Sequence, residues 1–97
     1  MPLTMIVTRD VESRYRGFLT SVMLEISPGV YVAPDMSAGV RNRVWDVMTD
    51  WWSQLARGSL TLVWRDPKSA GGLRIETLGE PPKTIVDADG VLLVKRK

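Results

Sequence analysis

Residues 7–17 read VTRDVESRYRG, and this stretch sets the fold of the chain. The apolar residues 5–7 have the pattern of a short buried strand that ends in charge. From Ser13 the apolar spacing becomes that of an amphipathic helix, with Asp10 or Ser13 as its candidate N-cap. Unpaired N–H groups and the positive end of the helix dipole suit such a junction to a phosphate or a metal ion.

The composition excludes several classes of protein. The 97 residues are enough for one domain, and they include no cysteine and no histidine. Disulfide frameworks, thiolate zinc sites and histidine-dependent nucleophiles are therefore excluded, so an enzyme here depends on carboxylates, backbone groups and a hard cation. The net charge is only +2, although nine arginines stand against four lysines. Arginine favours bidentate phosphate contacts, but the base composition of a genome also produces an arginine excess.

The sequence gives no sign of a membrane protein. No stretch approaches the roughly 18 consecutive apolar residues of a membrane span, and the first residues lack the layout of a signal peptide. We therefore expect a cytoplasmic protein without a membrane partner.

The first predicted helix carries a buried stripe that runs from Tyr15 to Ile26. The sequence SPG at 27–29 is expected to end this helix, because proline cannot continue it and glycine favours a left-handed turn. A short strand at 30–32 follows.

A second, longer helix is predicted to begin with an N-cap at Asp35 or Ser37 and to end near Gly58. Trp45 and Trp52 lie on the flank of its buried stripe, and we interpret them as the edge of the core rather than as stacking platforms for bases. Asp46 and Asp50 have the spacing of a metal pair, but without a third ligand nearby they are read as surface residues.

Two alternating segments, 59–65 and 73–77, predict a hairpin. The order is then β-α-β-α-β-β, which predicts an α+β ferredoxin-like sandwich over residues 1–80. Thr61 and Val63 are expected on the sheet face without helices, where a second copy of the chain is the simplest partner. Residues 81–97 are read as an additional strand and tail that packs on the dimer partner or on another subunit, with Asp89-Gly90 as a turn.

Five blocks in register along nearly the whole chain resemble one family. They read VT at 7–8, RYRG at 14–17, LEI with GVYV at 24–32, G with LTLVW at 58–64, and VDADGVLLV at 86–94. The family is the small CRISPR-associated adaptation protein usually called Cas two, in the Cascade-associated subtype I-E.

The resemblance implies a ferredoxin-like homodimer that lies between two dimers of the CRISPR integrase and grips duplex DNA by its backbone, with no cofactor required for binding. Arg14 and Arg16 hold the positions that contact phosphate in relatives. Lys83 retains one member of a basic pair. A lysine of relatives falls at about Gly39 here; its nearest substitutes, inferred from position alone, are Arg41 and Arg43. The C-terminal segment of relatives contacts the integrase, which implies partner-binding roles for Ile85, Val86, Val91, Leu92, Leu93 and Val94.

Two alternatives stay open at this point. Some members of the wider family are metal-dependent nucleases with an acid at the end of the first strand, where this chain has Arg9 and then Asp10. A two-fold axis that joins Asp10 with its copy would make a Mg²⁺ site, so Asp10 is the candidate catalytic and metal-binding residue for DNA or RNA hydrolysis. The other alternative is a module that binds only a small molecule or a protein.

Overall fold

The computed structural model describes residues 3–79 and, as backbone, two further strands at 84–88 and 91–95. Five strands form one antiparallel sheet in the order β2-β3-β1-β4-β5, and the other two pair with each other. In chain order the elements are β1 (Thr4–Arg9), α1 (Ser13–Val22), β2 (Leu24–Ser27), β3 (Val30–Ala33), α2 (Ala38–Gln54), β4 (Ser59–Arg65), a 3₁₀ turn (Ala70–Gly72), β5 (Leu73–Leu78), β6 (Thr84–Ala88) and β7 (Val91–Lys95).

The predicted α+β class and the ferredoxin-like arrangement are confirmed. Strand β1 is central and is flanked by β3 and β4, with β2 and β5 at the two edges. Buried side chains from both helices and from the sheet form a single core, so both helices pack on the same sheet face. The core residues are Ile6, Tyr15, Leu19, Met23, Tyr31, Ala33, Met36, Val44, Met48, Leu60 and Leu62.

The predicted length of the first helix is wrong. Helix α1 ends at Val22, where the Met23 N–H bonds to the Leu19 carbonyl at 2.8 Å, and β2 begins at Leu24. Ile26 therefore lies 63% exposed on a strand instead of on the buried helix stripe. This extra strand completes a β2–β3 hairpin between the two helices, which is the usual strand order of the ferredoxin-like fold.

A two-residue turn explains why the chain forms a hairpin here. Ser27 pairs with Val30, so Pro28 and Gly29 occupy the centre of the turn, and Gly29 has a φ of 80°. Proline followed by glycine is the sequence preference of a type II turn. The backbone N–H and the hydroxyl of Thr8 both donate to the Gly29 carbonyl, at 2.7 and 3.1 Å, and this ties the turn to the end of β1.

The prediction for the second helix is correct at its start and too long at its end. The Ser37 hydroxyl accepts a hydrogen bond from the Val40 N–H, which confirms Ser37 as the N-cap. The helix ends at Gln54, several residues before Gly58, which has a φ of 76° and belongs to the turn before β4. Trp45 and Trp52 are half-buried against the core, as predicted.

The sheet face opposite the helices carries a row of apolar side chains across all five strands. The register pairs them side by side, and in β1, β3 and β4 their side chains alternate with buried positions. The row consists of Leu24, Val32, Met5, Val63 and Ile75. Leu24 is 63% exposed and the other four are half-buried, so Val63 lies on the helix-free face, as the sequence predicted.

Candidate nucleic-acid interface

The first part of the site is the turn that follows β1. Arg9 and Asp10 are both exposed, and Asp10 has a φ of 60°, a left-handed conformation that aspartate tolerates better than most residues. Gly58 packs directly on this turn, because a Cβ at Gly58 would collide with the Arg9 and Asp10 carbonyl oxygens. The Trp52 indole donates to the Gly58 carbonyl at 3.2 Å. The turn is therefore held in place by backbone contact rather than by the Asp10 side chain.

The Asp10 carboxylate forms an ion pair with Arg57. The distance from Oδ1 to the Arg57 Nη2 atom is 3.6 Å, and the two side chains are 75% and 57% exposed. The predicted capping role of Asp10 or Ser13 is wrong, because Glu12 occupies the N-cap position of α1 and makes no side-chain capping hydrogen bond.

Arg14 lies on the first turn of α1, between a carboxylate and an aromatic ring. Its Nε atom is 3.6 Å from the Glu12 Oε1 atom, and its guanidinium lies 4.6 Å from the centre of the Trp51 ring. Trp51 in turn meets Tyr15 edge-on, with the ring centres 5.3 Å apart. The aromatic core edge of α1 and α2 thus supports the Arg14 guanidinium by cation–π contact, and 40% of the side chain stays exposed.

Arg16 belongs to a short chain of hydrogen bonds that ends at the hairpin turn. Its Nε atom donates to the Glu25 Oε1 atom at 3.0 Å, and the Gly29 N–H donates to Oε2 of the same carboxylate at 3.2 Å. These two donors, Gly29 first, hold the pKa of Glu25 below its ordinary value. The Arg16 side chain is 70% exposed, so its other guanidinium N–H groups are available to a phosphate.

A depression of about 700 Å³ lies between the start of α1 and the β2–β3 turn. Arg16 and three carboxylates, those of Asp10, Glu12 and Glu25, are in its lining. Each of these carboxylates is paired with a different arginine. A phosphate is therefore expected to meet the arginines at the rim rather than to enter the depression, whose lining is rich in carboxylates.

Arg41 and Arg43 lie at the opposite end of the sheet. The Arg41 guanidinium stacks 4.0 Å from the centre of the Trp64 ring, and Trp64 pairs with Thr4 at the beginning of β1. The Arg41 Nη2 atom also contacts the side-chain oxygen of Asn42 at 3.4 Å, so an aromatic ring and an amide hold this guanidinium. Arg43 is exposed. The structure thus separates the predicted phosphate-binding arginines into two groups, one at each end of the sheet.

The part of the chain that the structure describes contains no group of three or more acidic residues that could hold a metal ion. Asp10 is a single exposed carboxylate in this protomer, and its ion-pair partner is the cation Arg57. The expectation that it forms a Mg²⁺ site with its copy stays a prediction.

Several predicted residues lie outside the described residues. Lys83 and the Asp89-Gly90 turn are among them, and nothing is described of the side chains of Ile85, Val86, Val91, Leu92, Leu93 and Val94. The backbone of the segment forms a hairpin in which β6 and β7 pair antiparallel, with Thr84 opposite Lys95. The role of these residues in partner binding stays a prediction.

Sequence reasoning missed Arg57. Arg57 precedes Gly58, and the sequence predicted that this segment was the end of the second helix. A contact between Arg57 and the end of β1 therefore could not be predicted. The local signal is Gly58 itself, whose positive φ and close approach to the Arg9 carbonyl bring the two segments together.

Within the described part of the chain, no helix has the length and hydropathy that a membrane span requires. The fold and the exposed arginines define a small ferredoxin-like α+β domain with basic positions at both ends of its sheet. The family model described as CRISPR-associated protein (Cas_Cas2CT1978) matches residues 3–93. The chain belongs to this family of Cas2-like proteins, and membership gives it a general role in CRISPR adaptation and defence.

Proposed function

We propose that this protein is the dimeric DNA-bridging subunit of the CRISPR spacer-acquisition complex, of subtype I-E. It holds duplex DNA by the phosphate backbone beside the integrase. The observation that supports this most directly is the placement of Arg14 and Arg16, which project from the first turns of α1 with 40% and 70% of their side chains exposed. These are the positions at which the family resemblance implies phosphate contact.

Contacts to the phosphate backbone of DNA predict binding that is independent of base sequence and that weakens steeply as the salt concentration rises. Each neutralised phosphate contributes about 0.9 to the slope of log affinity against log salt. The test is a fluorescence-anisotropy titration of a labelled mixed-sequence duplex between about 50 and 200 mM salt, with the Arg14→Ala/Arg16→Ala double variant as comparison. A flat salt response of the unmodified protein would exclude the proposed grip.

The apolar row on the helix-free face supports the homodimer. An exposed apolar strip on a small domain is typical of an interface, and a two-fold axis would cover the row with its own copy. We expect a mass of twice 10.9 kDa in light scattering. Val63→Asp should give the monomer, whereas Val40→Asp, which places the same charge on an exposed valine of α2, should not.

The integrase partnership rests on the C-terminal segment. Co-purification with the CRISPR integrase of the same organism is expected for the full chain and is expected to disappear on removal of residues 84–97. A truncated chain that still dimerises and binds DNA but no longer co-purifies would assign the segment to the partner. Failure of both forms to co-purify would argue against the adaptation complex itself.

A further inference from the structure

We infer that Arg57 is a further phosphate-contacting residue of this interface and that Asp10 is its charge partner rather than a metal ligand. This inference rests on the proposed function and extends it to a residue outside the resemblance.

Arg57 lies where three segments of the chain meet. Gly58 packs against the carbonyl oxygens of Arg9 and Asp10, and its own carbonyl accepts the Trp52 indole hydrogen bond. These contacts hold the backbone beside Arg57 against the end of β1, next to the turn that leads into α1. The Arg57 guanidinium is therefore at the same end of the sheet as the two α1 arginines, and 57% of its side chain is exposed.

The charges at this end are arranged in pairs. The three acids and their arginines are Glu12 with Arg14, Glu25 with Arg16, and Asp10 with Arg57. Arg9 is exposed and has no ion pair among residues 3–79. The end of the sheet thus holds four arginines against three carboxylates, so its charge is largely masked until a phosphate competes with the acids.

The Asp10–Arg57 pair is suited to an exchange of partners. Its 3.6 Å separation and the exposure of both side chains make it a weak surface ion pair. A phosphate offers Arg57 a shorter, charge-assisted and bidentate contact. For a cation the surroundings are unfavourable, because Asp10 is flanked by Arg9 in sequence and by Arg57 in space.

The test is a double-mutant cycle on duplex affinity, measured by anisotropy at several salt concentrations. Arg57→Ala should reduce the magnitude of the salt slope by about 0.9 for each phosphate that Arg57 neutralises. Asp10→Asn should tighten binding about two- to fivefold, the range of an exposed ion pair. In the Arg57→Ala background, Asp10→Asn should tighten binding no more than the Asp46→Asn control does, because the residue that it masks is gone.

Two controls separate local from general charge effects. Asp46→Asn removes an exposed acid from the solvated face of α2, and Lys68→Ala removes an exposed cation from the β4–β5 turn. Both are expected to change duplex affinity less than Arg57→Ala and Asp10→Asn do. Far-UV circular dichroism and urea unfolding establish that each variant is folded.

The outcomes distinguish this inference from the proposed function. If the unmodified protein binds the duplex and Arg57→Ala keeps the same slope, the inference is wrong and the proposed function stands. If Asp10→Asn weakens binding in Mg²⁺ but not in EDTA, Asp10 is a metal ligand and the inference is wrong. If the unmodified protein shows no salt-dependent binding, both fail together.

Discussion

Arg16 and Arg41, at the two ends of the sheet, are held in opposite ways. At the start of α1, Arg14 and Arg16 are each paired with a carboxylate, and Arg14 also lies over the Trp51 ring, whereas Arg41, at the start of α2, stacks on the Trp64 ring. A carboxylate positions a guanidinium but cancels its charge, while an aromatic ring positions it and leaves the charge intact. The two groups are therefore expected to differ in how much each arginine contributes to phosphate binding.

The largest effect is expected from Gly58→Ala, which disturbs the backbone at the end of the sheet where the arginines form ion pairs with carboxylates. Gly58 has a φ of 76°, and a Cβ would collide with the Arg9 and Asp10 carbonyl oxygens. We expect the free energy of unfolding to fall by more than about 2 kcal/mol, measured by urea denaturation. Gly17→Ala is the matched control, since it lies inside α1 with open space around it and should stabilise by about 0.5–1 kcal/mol. Equal stability of the two variants would show that the β1 turn does not depend on this contact.

The next effect compares the two ends directly. Arg41→Ala should reduce duplex affinity more than Arg16→Ala, because the ring that positions Arg41 leaves its charge intact whereas Glu25 neutralises Arg16. One full phosphate contact corresponds to about a three- to fourfold change in affinity between about 50 and 200 mM salt. We therefore expect the fall in affinity over this salt range to be about three- to fourfold smaller for Arg41→Ala than for the unmodified protein in the anisotropy titration, and the change to be less for Arg16→Ala. If Arg16→Ala instead reduces duplex affinity more than Arg41→Ala, the positioning of Arg16 by Glu25 contributes more to binding than the neutralisation of its charge costs.

A smaller effect is expected from Glu25→Gln, which removes the carboxylate charge beside Arg16 and keeps the shape of the side chain. The amide oxygen still accepts the Gly29 N–H, so the hairpin turn is retained. Arg16 is then no longer masked by a carboxylate, and duplex affinity should rise about twofold. Asp46→Asn serves again as the remote control, and an equal rise in that variant would indicate a general charge effect instead.

The smallest effect concerns stability at low pH. The pKa of Glu25 is lowered, by the Gly29 N–H and then by Arg16, so its ionised form stabilises the folded state. That stabilisation is complete above the ordinary value of 4.5 and is lost as the pH falls through the lowered value in the folded protein. Urea unfolding across this range should show less loss of stability for Glu25→Gln than for the unmodified protein. Asp66, whose pKa is lowered by the Lys68 N–H and by Ser69, provides the comparison outside the interface through Asp66→Asn.

Much of the fold was predictable because its signals are local. The Ser37 cap, the alternation of β4 and β5 and the core edge at Trp45 and Trp52 each follow from a short pattern, and the structure has them. The end of α1 was not predictable in this way. Val22, Met23 and Ile26 fit a helical stripe, but Leu24 and Ile26 also alternate, and the pairing with β3 through the Pro28-Gly29 turn decides in favour of a strand.

The site was less predictable than the fold, since ion pairs depend on which segments meet. The sequence identified Arg14 and Arg16 only through a resemblance, and it offered no reason to connect Arg16 with Glu25, which the helix prediction placed on the same helix. Arg57 reaches Asp10 through a contact between two turns that are far apart in the chain. No local pattern encodes such a contact.

If the protein binds DNA as proposed, the chain of hydrogen bonds from Arg16 through Glu25 to Gly29 makes the Gly29 N–H a reporter of how the DNA is held. The Gly29 N–H is protected by the same carboxylate that Arg16 grips. If a phosphate draws the whole guanidinium away, the carboxylate is freed to move and hydrogen exchange at Gly29 accelerates. If Arg16 keeps its Nε contact and binds phosphate with its remaining N–H groups, exchange at Gly29 stays slow. Hydrogen exchange at the β2–β3 turn would thus distinguish between these two ways in which Arg16, on α1, can contact a phosphate.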